Sequence, residues 1–170
     1  MPYGSNDWLA LTQEPTLEPD IPICDPHHHF WDRRPASIPY QRYLIHELND
    51  DIYSGHNVIS TVFVEARSMY SADAAEELRS VGEVEFVQGL AAASASGVYG
   101  PSRAAAGIMG HADLKLGADV GPVLDALQAA SPNRFRGIRH NITNNPDPTW
   151  DDRETPGVVT SAKFIEGAKA

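Results

Sequence analysis

Three consecutive histidines close a short apolar run, Ile21-Pro22-Ile23-Cys24-Asp25-Pro26-His27-His28-His29-Phe30-Trp31-Asp32. In an extended backbone, successive side chains alternate between faces. Asp25, His27 and His29 then share one face, and His28 takes the other. Two imidazoles two residues apart can converge on one divalent ion or one anionic substrate group. An affinity tag would also supply histidines, but a tag sits at a terminus and this triplet is internal. Three more polar groups each follow an apolar segment: Glu65 with Arg67, His111 with Asp113, and Arg139 with His140. A guanidinium binds a carboxylate through paired hydrogen bonds, which makes Arg139 a candidate anion clamp. His140 has the chemistry of an acid, a base or a substrate donor. Each of these residues also has a plainer role. Glu65 can pair with Arg67, His111 can be a hydrogen-bonded loop residue, Asp113 can cap a turn, and Arg139 can form a structural salt bridge. His46 and His56 read as surface residues.

These groups need elements to place them. The first strand is read at about 21–25, with the histidines at its C-terminal end. A short amphipathic helix over 43–53 has Leu44, Leu48 and Ile52 at intervals of four. The β-branched run Val58-Ile59-Ser60-Thr61-Val62-Phe63-Val64 is the clearest strand. A helical pattern starts at Ala72 with Ser71 as its cap, breaks or bends at Gly82, and continues to Leu90-Ala91. Strand composition competes with helix over 86–93, and the flanking Glu83 and Glu85 favour helix. A third strand is expected over 106–111, a helix over 120–130, a fourth strand over 134–138, and the start of another helix from Thr160. Prolines 146, 148 and 156 mark a long loop between the last two. Strand and helix alternate four times, the pattern of a parallel sheet with crossover helices. In such folds, sites lie at the C-terminal ends of the strands. All four polar groups fall there.

The 170 residues are enough for one domain, read as an irregular lead-in over 1–20 followed by an α/β unit over 21–170. The formal net charge is −10 and no basic run exists, which argues against nucleic acid as a partner. No stretch approaches the ~20 apolar residues that span a bilayer. The lead-in lacks the basic-then-apolar order of a secretory signal. Cys24 is the single cysteine, so no internal disulfide forms, which fits a reducing, cytoplasmic compartment. Its place in the first strand predicts a packed, buried thiol. There is no phosphate loop, no nucleophile elbow and no second cysteine for a zinc ribbon.

The chain resembles the amidohydrolase superfamily, in the amidohydrolase-related branch of sugar lactonases and 2-pyrone-4,6-dicarboxylate lactonase. The resemblance rests on Asp25-Pro26-His27-His28-His29-Phe30-Trp31-Asp32, which matches an Asp-x-His-x-His-x-Trp pattern on strand one. Thr61-Val62-Phe63-Val64-Glu65-Ala66, Gly107-Ile108-Met109-Gly110-His111-Ala112-Asp113 and Arg134-Phe135-Arg136-Gly137-Ile138-Arg139-His140 support it in the same order. It implies a TIM-like (β/α) barrel and water attack on a lactone, ester or amide carbonyl. His27 and His29 would be the strand-one pair. They would either ligate a divalent metal such as zinc, which polarises the carbonyl and acidifies its bound water, or polarise the substrate carbonyl directly without metal. Glu65, His111 and Arg139 would bind the substrate, a small carbonyl compound that carries a carboxylate if Arg139 faces the site.

A full barrel takes ~250 residues, and four βα units are present here. Histidines of strands five and six and the strand-eight aspartate that acts as general base have no counterpart. The resemblance therefore implies the N-terminal half of such an enzyme, poorly active alone and open to oligomerisation through its exposed sheet edges. The alternatives are a non-catalytic α/β module that binds a metal or ligand, and a decayed fragment. A metal-storage protein is weaker, because the histidines beyond strand one are dispersed.

Overall fold

The computed structural model describes residues 6–34, 40–144 and 154–170. After a four-residue helix α1 (Asn6–Leu9), strands β1 (Pro22–His28), β2 (Asn57–Val64), β3 (Arg103–Gly110) and β4 (Phe135–Ile138) alternate with helices. These are α2 (Ile45–Ile52), α3 (Val81–Ala95), α4 (Gly121–Ala130) and α5 (Ala162–Gly167). The strands form one sheet in the order β1-β2-β3-β4, and every neighbouring pair is parallel. The β-branched run is an interior strand, as its composition demands. Expectation and structure agree on an α/β fold with four parallel strands. Prolines 146 and 148 lie outside the described residues.

Each strand lies beside its predecessor, so every crossover steps the same way. Right-handed crossovers then place the helices on one face. The core has that arrangement: Leu48 and Ile52 of α2, Val84, Val87 and Ala91 of α3, and Val123 and Leu127 of α4 pack into one cluster with Phe63 and Ile108. Burying each large aliphatic or aromatic side chain contributes about 2 kcal/mol. The other sheet face presents Val62, Gly107, Met109 and Arg136: a Cβ on Gly107 would meet Val62 and Arg136, and one on Gly137 would meet Met109. Gly110 faces the helices, where a Cβ would press on Val84, Leu127 and Phe135 at 3.1–3.3 Å. No helix among the described residues is long and apolar enough to cross a membrane.

Two local expectations fail. Helix α3 starts at Val81, not Ala72; the preceding residues form only a single 3-10 turn, Glu76–Leu78. Ser71 does not cap it, because Ser80 holds the N-cap position. Gly82 is a point of close approach and not a break: a Cβ there would lie 2.8 Å from the Met69 carbonyl oxygen and the Ser71 nitrogen. Cys24 is exposed, not packed. It lies on β1, an edge strand whose first residues alternate between exposed and half-buried.

Candidate functional site

The C-terminal ends of β1, β2 and β4 open on a cleft of about 320 Å³. Its wall includes His29, Arg34, Glu65, Arg67 and Arg139. Residues from three separate segments thus meet because parallel strands all end on one rim.

The triple histidine divides as alternation requires. The Nε2 atoms of His27 and His29 are 3.2 Å apart, with their rings edge to face. His29 Nδ1 lies 2.7 Å from the Val64 carbonyl oxygen. A carbonyl only accepts, so this nitrogen carries the proton and Nε2 keeps its lone pair. His27 Nε2–H then donates to His29. Burial holds the His29 imidazole below its usual pKa, and the nearby Arg139 charge works in the same direction. Asp25 turns back on the chain and accepts from the His27 amide at 3.0 Å.

His28 points into the helix-side core, edge-on to Phe30 and Phe63 at centroid distances of 4.7 and 5.9 Å. It is 7% exposed. Burial pushes its pKa from 6.5 to about 4, and its Nε2 has no hydrogen-bond partner.

Glu65, at the end of β2, is 4% exposed. Arg139 Nε donates to its Oε1 at 2.8 Å and Nη2 to its backbone carbonyl at 2.6 Å. Glu65 Oε2 is buried and has no partner. Arg139 is therefore a salt-bridge partner and a cleft residue at once, with its side chain 39% exposed. Arg34 donates to the Ala66 carbonyl at 2.6 Å and lies over the Trp31 ring. Trp31 itself stacks on Tyr43 and donates to the Tyr40 carbonyl, which anchors the segment after β1. Arg67 adopts a left-handed backbone, with φ 55°.

His111 does not line this cleft. Its Nδ1 donates to the Arg139 carbonyl at 3.0 Å, and its ring faces a second cleft of about 450 Å³ beyond Arg67, with Tyr70 and Asp113. Asp113 accepts from the Lys115 amide at 2.9 Å, the turn cap expected of it. His140, read as an acid, a base or a substrate donor, lines neither of these two clefts. Its side chain is 5% exposed. Nδ1 accepts from the Leu114 amide at 3.1 Å, Nε2 donates to Glu154 at 3.3 Å, and the ring is edge-on to Phe164.

A catalytic zinc usually has three protein ligands. The His27–His29 pair supplies two convergent nitrogens, and the described residues hold no group of three or more histidine, cysteine or carboxylate ligands. Among the described residues the pair is an incomplete shell.

Fold and cleft together define an α/β protein with a cation-lined site at the carboxyl ends of parallel strands. No family model, curated protein or solved structure matches the chain. Arg34, Asn141 and Glu83 were missed as site or supporting residues in the sequence. For Glu83 a signal existed: it lies four residues before Val87, on the apolar stripe of α3.

Proposed function

We propose that the cleft binds a small carboxylated carbonyl compound, and that His27, held by His29, polarises its carbonyl for attack by water on a lactone, ester or amide. One observation carries this reading. Among the described residues, three guanidiniums, from Arg34, Arg67 and Arg139, share a small cleft with His29, and Glu65 is the one carboxylate lining it. The excess positive charge favours an anion, and guanidinium geometry favours a carboxylate. The His27 Nε2–H, directed at a lone pair in the structure, is a donor that a substrate carbonyl oxygen can take over.

The singly wound parallel sheet supports placing these strands in a β/α barrel of amidohydrolase type, with zinc or another divalent ion, or no metal, at the histidine pair. Glu65 is engaged by Arg139, so among the described residues the cleft has no unengaged carboxylate to activate water. Turnover in this reading needs further strands, and the edge strands β1 and β4 are where they or a second chain would pair. The same fact favours a second reading, a module that binds such a ligand without hydrolysing it.

Isothermal titration calorimetry with γ-butyrolactone-3-carboxylate and with γ-butyrolactone tests the binding claim. The carboxylated ring should bind at least about tenfold more tightly. Equal affinity, or none for either, refutes it. Turnover well above that of a His27→Ala/His29→Ala control would show that this chain already contains its base.

A further inference from the structure

Glu83 carries a full carboxyl group into the apolar face of α3 and is 0% exposed. Its Oε1 accepts from the Ala66 amide at 3.0 Å and the Ser68 amide at 2.7 Å, and shares the single Ser68 hydroxyl proton, at 3.2 Å, with the Phe30 carbonyl. The two amides flank Arg67, the residue with φ 55°. A long side chain adopts that conformation only where its surroundings over-determine it. The Ser68 hydroxyl also reaches the Phe30 carbonyl at 2.7 Å, next to His29. One buried oxygen thus gathers the segments that follow β1 and β2.

We infer that Glu83 is a positioning residue: by holding the amides of Ala66 and Ser68, the residues on either side of Arg67, it fixes the left-handed turn that sets the Arg67 guanidinium at the anion cleft. This rests on the reading of the cleft proposed above. Oε1 takes both amide donors, and Oε2 is buried without a partner. Burial is the main cause that lifts the Glu83 pKa to about 7, and the Glu65 carboxylate adds to it. A proton on Oε2 leaves Oε1 free to accept, so the anchor survives protonation. The charged groups around it are Glu65, paired with Arg139, and Arg67; Tyr70, whose hydroxyl is pushed up chiefly by burial and then by Glu83 and Glu65, is the neutral titratable neighbour. Loss of the proton adds a negative charge behind the cleft and opposes anion binding.

Two variants test this. Glu83→Gln keeps the accepting carbonyl and cannot ionise, whereas Glu83→Leu removes the acceptor. The readouts are calorimetric affinity for γ-butyrolactone-3-carboxylate at several pH values around 7, and the amide resonances of Ala66 and Ser68 over the same range. In the wild type, affinity should fall as pH rises through about 7, and both amides should shift in step. Glu83→Gln should keep the low-pH affinity and lose the step in both readouts. Glu83→Leu should bind about tenfold more weakly at every pH. A pH step that persists in Glu83→Gln, or wild-type affinity in a folded Glu83→Leu, overturns the inference. If Glu83→Leu does not fold, Glu83→Gln decides. If the wild type does not bind the lactone, the cleft reading fails, and the amides alone judge Glu83: absence of their shift overturns it.

Discussion

The odd member of the histidine triplet makes a quantitative prediction about acid stability. His28 sits between Phe30 and Phe63, and burial lowers its pKa from 6.5 to about 4. Between those values the unfolded chain takes up a proton that the folded chain refuses, so the stability present above pH 6.5 is lost as pH falls toward 4. The shift corresponds to about 3 kcal/mol. Glu83 acts in the opposite sense. Its pKa rises on folding from 4.5 to about 7, so its contribution is fully present below pH 4.5 and is lost as pH rises through 7. That is also about 3 kcal/mol. The two windows overlap from 4.5 to 6.5, where the opposing slopes nearly cancel. His28→Phe removes one slope and adds an aromatic ring beside Phe30 and Phe63. Urea unfolding followed by circular dichroism at a series of pH values should then show a stability difference, variant minus wild type, that grows by about 3 kcal/mol as pH falls from 6.5 to 4. Glu83→Gln should show the mirror image, gaining on the wild type as pH rises. A His28→Phe difference that stays constant with pH would refute the placement of His28 in the core.

Removing Arg139 leaves Glu65 buried without its cation. Arg139→Met should destabilise by about 2 kcal/mol, less than a fully buried pair because Arg139 is partly exposed. Glu65→Gln in the same chain should recover part of that loss; strict additivity in the double-mutant cycle would count against a coupled pair. Gly110→Ala should lower the urea midpoint at unchanged slope, by about 1–3 kcal/mol, because its Cβ meets Val84, Leu127 and Phe135 at 3.1–3.3 Å. An unchanged midpoint would mean that the sheet-to-helix packing is looser there.

Much of the fold is legible in residue pattern. Val58 to Val64 could hardly be anything but a strand, and the four alternations of strand and helix specify a parallel sheet. The split of His27 and His29 from His28 follows from strand alternation alone, as does the placement of polar residues on one rim. What failed was non-local. The start of α3 depends on how closely the 69–71 backbone approaches Gly82, which no propensity encodes. The exposure of Cys24 depends on β1 being an edge strand. The contacts of His140 with the Leu114 amide and Glu154 are likewise long-range and leave no local signature. Arg34 lies in an irregular segment whose path is set by Trp31 and Tyr43, so its arrival at the cleft had no periodic signature.

A crystal structure of the chain with γ-butyrolactone-3-carboxylate decides whether this cleft holds the ligand. The carboxylate should lie against the guanidiniums of Arg67 and Arg139, with the ring carbonyl oxygen within hydrogen-bond reach of the His27–His29 pair. A lactone bound away from this cleft, or seated in it with its carbonyl turned from both histidines, would refute the proposed site.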